Sequence, residues 1–558
     1  MVKQVLEIQD LRVRFGDSEP VKGVSLSLAP GQRLGLVGES GSGKSLTALS
    51  VMRLVPGAET SGSILLNGRD VLALGKRELD HVRGGEVGMV YQDPMSSLNP
   101  VHQVGKQISE SLRLHTGMTK GAARARAIEL LAEVGVSRPE RRVDQYPHEF
   151  SGGMRQRVMI AIALSANPAV LIADEPTTAL DVTTQARIMA LLDRLAAEHN
   201  TAVLLITHDL GVAAGFCDDI AVMRHGGVIE RASAVDLYHS PREPYTQALL
   251  GAVVDLAIDV DKPIPSLDGP PAAVVAPRAA PRAANEDAVL VSARNLRKAF
   301  RLGRGETVTA IDDVSFEIRR GETFGLVGES GSGKSTVARA VLGLTPLDEG
   351  DVVISGHNVR RMRGRELRAF RRGIQMVFQD PFAALNRRQT VEQIIQAPLE
   401  AHRIGDRASR SARVDEVLDL VGLGREFRTR YPRSMSGGQC QRVAIARALA
   451  VDPDFVVLDE SVSSLDVSIQ AQVLNLLRDL QRELGLTYLF ISHDLAVVRY
   501  MAQRLAVMQN GRIVEQGSRD DLFGNPQDAY TRELLAAIPV ADPEIERARR
   551  REAMEATA

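Results

Sequence analysis

Two octapeptides in this chain are the same in every residue: Gly38-Glu39-Ser40-Gly41-Ser42-Gly43-Lys44-Ser45 and Gly328-Glu329-Ser330-Gly331-Ser332-Gly333-Lys334-Ser335. Both fit G-x-x-x-x-G-K-S, a spacing suited to phosphate chemistry. The glycines let backbone N–H groups turn inward around phosphate oxygens, the lysine brings a point charge, and the final serine offers a hydroxyl to Mg²⁺. The candidate phosphate contacts are Gly38, Ser40, Gly41, Gly43, Lys44 and Ser45, then Gly328, Ser330 and Gly331 with Lys334 and Ser335. An apolar stretch precedes each loop and a helical pattern follows, so the positive end of a helix dipole also faces the anion.

Carboxylates supply the next piece. Asp174 and Asp459 each end an apolar run, where an unpaired charge is costly and a Mg²⁺ ion would offset that cost. Glu175 and Glu460 follow directly and are the candidates to polarise an attacking water. Gln92 and Gln379 are candidate water and metal contacts, and His208 and His493 could hold a terminal phosphate and the water in line. The same His-Asp pair stands in both copies, which favours a catalytic histidine over a structural one.

These pieces repeat in one order. Gln-Asp-Pro starts at 92 and 379, Ser-Gly-Gly at 151 and 436, Asp-Glu at 174 and 459, His-Asp at 208 and 493, and Tyr-Thr at 245 and 530. A duplicated domain follows, in keeping with 558 residues, too many for one core. Between the copies, PIPSLDGPPAAVVAPRAAPRAANED (263–287) holds six prolines among alanines, the composition of an extended linker. The expected organisation is 1–262, a linker 263–287, and 288–558.

Within a copy the pattern is α/β. Leu6 to Ile8 and Leu11 to Phe15 alternate as half-buried antiparallel strands do, whereas RLGLVG, AVLIAD and AVLLIT read as buried parallel strands. Thr183 to His199 carries Ile188, Leu191, Leu192 and Leu195 at helical spacing. Strands alternating with helices predict a parallel sheet with its chemistry at the carboxyl ends.

Composition sets bounds. The 68 basic and 70 acidic residues leave a net charge of -2, with no sign of the basic face that nucleic acid requires. No run of about 18 apolar residues occurs, and MVKQVLEIQD lacks a signal-peptide core. A cytoplasmic protein without a membrane span is expected, its two cysteines, Cys217 and Cys440, reduced.

Ser-Gly-Gly ahead of an arginine-bearing helix, upstream of Asp-Glu, sets the chain apart among phosphate-loop proteins. Over nearly its whole length it resembles the ATP-binding-cassette ATPases. That resemblance implies an α/β fold of two tandem P-loop ATP-binding-cassette domains. Each would have a parallel-sheet core, an antiparallel β subdomain and a helical signature subdomain. It also implies ATP and Mg²⁺ as cofactors, with Glu175, Glu460, His208 and His493 catalytic. In the family, one domain's Ser-Gly-Gly caps the phosphate held by the other. Ser436, Gly437 and Gly438 would thus complete the site of Lys44, and Ser151, Gly152 and Gly153 that of Lys334. Asp181 and Asp466 match the loop that couples the sites.

Finer matches narrow the group. YQDPMSSLNP (91–100), FQDPFAALN (378–386), PHEFSGGMRQRVMIAIAL (147–164), DVSIQAQVLNLL (466–477), PYTQALL (244–250) and AYTRELL (529–535) resemble the oligopeptide, dipeptide and nickel importer ATPases, two subunits fused in order. The implied function is ATP hydrolysis driving import, of peptides first and nickel or another small solute as the alternative. The implied partners are two integral-membrane permeases and an extracellular solute-binding protein, at the cytoplasmic face of the cell membrane. Less favoured are an exporter, and a twin cassette acting on ribosomes or DNA, whose relatives carry a long charged helical linker that is missing here.

Three departures stand out: Met154 where Gln is general, Ser461 where Pro176 stands in the first copy, and no cysteine between Gly269-Pro270-Pro271 and Cys440 for an iron–sulfur segment. Phe15 and Phe300 occupy the places where the family stacks adenine. They stand 29 and 34 residues before their lysines, a difference that a longer hairpin, RLGRGET, would absorb. Arg360, Arg361, Arg363, Arg365, Arg368, Arg371 and Arg372 are expected on a solvated helix face, the alternative being contact with lipid head groups or an acidic partner.

Overall fold

In the computed structural model, residues 3–178, 180–266, 288–301, 307–463 and 465–555 are described. Most of the linker (267–287) and the tip of the RLGRGET hairpin (302–306) lie outside them. Two compact units emerge: 1–180 with 184–253 and 539–558, and 254–538 with 181–183.

The first unit carries a six-stranded sheet ordered Gly227–Ser233, Asp219–Arg224, Arg33–Val37, Ala202–Ile206, Val170–Asp174, Val87–Val90. The last five run parallel and the edge strand Gly227–Ser233 antiparallel. Arg33–Val37, Val170–Asp174 and Ala202–Ile206 are buried along nearly their whole lengths, as their continuous apolar runs require. A second sheet, Ser18–Leu28, Leu6–Phe15, Glu59–Leu66 and Arg69–Asp70, is antiparallel. Its period-two residues Leu6, Ile8, Val24 and Leu26 pack with Leu34, Leu36, Ile172 and Leu204 into one core. The pairing shifts register between Ile8 and Leu11, where Asp10 has φ 45°, so the two predicted strands are one bulged strand. Helices Val104–Thr116, Lys120–Glu133 and Gly152–Leu164 form the helical part that carries Ser-Gly-Gly.

The second unit repeats this plan, with a six-stranded sheet ordered Ile374–Val377, Phe455–Asp459, Thr487–Ser492, Thr323–Val327, Arg504–Gln509, Arg512–Ser518. Its antiparallel sheet comprises Thr307–Arg319, Val289–Arg301, Glu349–Ile354 and His357–Asn358. The arginine-rich helix Gly364–Gly373 leaves Arg365, Arg368, Arg371 and Arg372 exposed, while Leu367 and Phe370 pack against the core.

Each unit also takes in a segment beyond its expected bounds. In the first, helix Pro543–Glu555 packs on helix Leu210–Phe216. Arg547 Nη2 donates to Cys217 O at 2.5 Å, and His239 Nε2 lies 3.3 Å from Asp542 Oδ2. The approach requires glycine: a Cβ on Gly215 would stand 2.3 Å from Glu546 Cγ. In the second, Ile264 is buried and its backbone is gripped by Asn475, Ile264 N donating to Oδ1 at 3.0 Å and Nδ2 donating to Ile264 O at 2.8 Å. Tyr500 Oη donates to the same Asn475 Oδ1 at 2.7 Å, which satisfies a polar group that burial would otherwise penalise.

Candidate functional site

Both phosphate loops span a buried parallel strand and a helix, Arg33–Val37 to Lys44–Val51 and Thr323–Val327 to Lys334–Val341. Only glycine fits where each loop leaves its strand. Gly38 and Gly328 have φ of 143° and 147°, and a Cβ on either would stand 2.2 Å from the carbonyl oxygen of Met223 or Met508. Lys44 and Lys334 are almost fully buried. Lys44 Nζ donates to Gly38 O (2.6 Å) and Glu39 O (2.8 Å); Lys334 Nζ donates to Gly328 O and Glu329 O, each at 2.7 Å. Burial holds the Lys334 ammonium below its ordinary pKa. A buried ammonium resting on neutral carbonyls is suited to take a phosphate in their place.

Ser45 Oγ donates to Asp174 Oδ1 at 3.1 Å, and Ser335 Oγ to Asp459 Oδ1 at 3.1 Å. Burial raises the Asp174 carboxyl to about 6, against the Ser45 hydrogen bond, and raises Asp459 as well. A hydroxyl and a carboxylate meeting at one point, the acid pushed toward protonation by burial, are the hard oxygen donors that Mg²⁺ takes. The residues present therefore fit Mg-ATP. Lys44, Lys334 and the loop amides would hold the phosphates, and the Ser–Asp pairs would hold the metal, which supplies charge for the phosphates.

The glutamates sit one residue past the sheet in the left-handed region, with φ of 47° at Glu175 and 45° at Glu460. Such backbone is sparsely populated for non-glycine residues and costs of order 1–3 kcal/mol. Around Glu175 the candidate residues Gln92 and His208 come together. Gln92 Nε2 donates to Oε2 at 2.6 Å and His208 Nδ1 lies 3.3 Å from Oε1. Glu460 has the same pair, with Gln379 Nε2 at 2.6 Å from Oε2 and His493 Nδ1 at 3.5 Å from Oε1. Burial pushes the Glu175 carboxyl up, but His208, Thr178 and Gln92 outweigh it and take it down to about 2. Glu460 is lowered in the same sense, mainly by His493. Burial pulls His493 down, and Glu460 more than reverses that. The result is an ionised carboxylate beside a loop built for a triphosphate, suited to accept hydrogen bonding from a water.

One contact was absent from the sequence reading: Thr178 Oγ1 donates to Glu175 Oε2 at 2.9 Å. Its only sequence signal is a hydroxyl three residues after the glutamate.

Each Ser-Gly-Gly opens a helix, Gly152–Leu164 or Gly437–Leu449, and its serine caps it. Ser436 Oγ accepts from Gln439 N (3.3 Å) while Gln439 Oε1 accepts from Ser436 N (3.1 Å), a reciprocal cap. Met154 stands at the matching place in the first copy and has no group to return the bond, so only Met154 N to Ser151 Oγ remains, at 3.4 Å. Phe15 and Phe300, 37% and 42% exposed, are not core residues; the first ends its strand and the second stands one residue before the end of its own.

Paired phosphate loops, each with Ser–Asp and Glu–His–Gln groups at strand ends, define a duplicated P-loop nucleoside triphosphatase. The ABC transporter family matches residues 21–178 and 311–463, and the oligopeptide/dipeptide transporter C-terminal region matches 229–278 and 514–558. Glutathione import ATP-binding proteins GsiA of Salmonella typhimurium (strain LT2) and Escherichia coli (strain K12) are each 45% identical over 98% of this chain, which spans 92% and 91% of their lengths. The protein of that name from Pectobacterium atrosepticum is 46% identical over 97% of this chain and 90% of its own. Among solved structures, a dimeric post-hydrolysis state of the ATP-binding cassette MJ0796 bound to ADP and Pi is 31% identical. It covers 41% of this chain and 98% of its own, with a TM-score of 0.38. The chain belongs to the ABC transporter family, as a protein with two fused ATP-binding cassettes, and its cofactors are ATP and Mg²⁺. Among the described residues no helix is long and apolar enough to cross a membrane.

Proposed function

We propose that this chain is the energy-coupling ATPase of a membrane importer for small peptides, a class that includes glutathione. It converts ATP and water to ADP and phosphate at the cytoplasmic face of the cell membrane. Two permease subunits and an extracellular solute-binding protein complete the assembly. The observation that carries this reading is the end-to-end likeness to glutathione import ATP-binding proteins, with the oligopeptide/dipeptide region recurring in both halves. In each site the lysine and loop amides hold the phosphates, and Glu175 or Glu460 takes a proton from the attacking water. The histidine and glutamine on each carboxylate keep it ionised and aimed. Reconstitution with the permeases and binding protein tests the cargo. Peptide-dependent stimulation of ATP hydrolysis supports the reading, while stimulation by nickel alone replaces it with the metal-import alternative.

Two ATP are held, in this proposal, head to tail, each Ser-Gly-Gly completing the other cassette's site. Supporting it, each cassette carries, besides its phosphate loop, a second helix N-terminus capped by a serine, at Ser151 and Ser436. Gly437→Arg should then impair hydrolysis at the Lys44 site. Site-resolved nucleotide trapping that places the loss only at the Lys334 site would put the signature in cis.

A further inference from the structure

We propose that Thr178 is a positioning residue for the Glu175 carboxylate, and that Ser463, its counterpart, does not do this for Glu460. The inference rests on the reading of both glutamates as bases. Glu175 Oε2 accepts two hydrogen bonds, from Gln92 at 2.6 Å and Thr178 at 2.9 Å, while Oε1 faces His208. Both oxygens are thus fixed, and the carboxylate plane with them. The geometry follows from the backbone. With Glu175 at φ 47° the chain doubles back, and Thr178 N donates to Glu175 O at 3.2 Å, which brings the threonine side chain over the glutamate.

The second loop makes the same turn: Glu460 has φ 45° and Ser463 N donates to Glu460 O at 3.3 Å. The hydroxyl points elsewhere, for Ser463 Oγ donates to the backbone Glu460 O at 2.9 Å and leaves the carboxylate to Gln379 and His493. Threonine's second Cβ substituent narrows its χ1 choice, and serine lacks that constraint. Ser461 does not compensate, since its hydroxyl is buried without a hydrogen-bond partner. The base of the first site is held by three side chains and that of the second by two. The first site is therefore the faster hydrolyser, the second the one that retains its ATP longer.

The test uses the full chain with the second site silenced by Glu460→Gln, measuring single-turnover hydrolysis and nucleotide affinity for Thr178→Ser, Thr178→Val and Glu175→Gln. Val keeps the shape of threonine and Ser keeps the hydroxyl. Thr178→Val should slow hydrolysis about ten- to a hundredfold, the worth of one hydrogen bond to a charged group, with affinity unchanged. Thr178→Ser should fall between Val and Thr. A Val variant as fast as the parent, or a Val variant faster than Ser, would mean that shape and not the hydroxyl matters, and would overturn the proposal. Unaltered hydrolysis in Glu175→Gln would instead remove the base assignment beneath it.

Discussion

The two nucleotide sites share an identical phosphate loop yet differ in the loop that carries the proposed base. Around the lysines the geometry agrees to about a tenth of an ångström: Nζ to the first loop carbonyl is 2.6 and 2.7 Å, and serine to aspartate is 3.1 Å in both. Beyond the aspartates they diverge. Pro176 becomes Ser461, and the Thr178 hydroxyl on the carboxylate becomes a Ser463 hydroxyl on a carbonyl. If the signatures act in trans, the one-sided cap at Ser151 serves the Lys334 site too, so every departure falls on the same composite site. Binding and hydrolysis are built from separate pieces of chain, and one can be kept while the other drifts.

The largest effect that could break this comparison comes from the bases. Glu175→Gln and Glu460→Gln should each cost about 10²–10⁴ in rate at their own site. Glu175→Gln should remove the larger share of steady-state ATP turnover, and equal shares would mean that the sites are equivalent. Next are the lysines. Lys44→Ala and Lys334→Ala should weaken nucleotide binding by about ten- to a hundredfold at one site each. Because the loops are identical the two losses should match in equilibrium titration, and unequal losses would place the asymmetry in binding.

Smaller is the linkage of stability to pH through Asp174. Burial raises its folded pKa to about 6, above the ordinary carboxyl value, so the unfolded chain ionises first. Without Mg²⁺ or nucleotide the acid therefore costs nothing below its unfolded pKa, and destabilises progressively as pH rises to about 6. Asp174→Asn removes that cost, and should stabilise the nucleotide-free protein by about 1–3 kcal/mol at pH 8 but not at pH 4. Urea denaturation at the two pH values measures it. A gain equal at both would mean that the acid's charge is not the cause. The smallest effect is Ser463→Thr, which should raise hydrolysis at the second site by a few-fold, roughly the worth of one biased rotamer. No change in a Glu175→Gln background would point to Ser461 as the governing departure.

Much of the site was legible because its parts are local: a loop, an Asp-Glu pair and a His-Asp pair each show as short strings, and duplication marked them as meaningful. The buried parallel strands were legible for a similar reason, since full burial demands unbroken apolar runs such as Val170–Asp174. Three things were not. Positive φ at Glu175 and Glu460 leaves no residue-type signature, as it does at a glycine. Whether the hydroxyl at 178 or 463 turns to carboxylate or carbonyl is a rotamer choice made by packing. The docking of Pro543–Glu555 on the first unit depends on partners such as Gly215 and Cys217, more than 300 residues away, which no local period records.

That docking also orders events during synthesis. The first unit includes residues 539–558, and these leave the ribosome only after the whole 254–538 stretch has been made. At 5–20 residues per second, the helix Leu210–Phe216 waits roughly a quarter to a full minute for its covering segment. All residues of the first cassette's phosphate loop and sheet have thus been synthesised before that cover exists. The cassette's final packing step is reserved for chains in which translation has already passed through the second cassette.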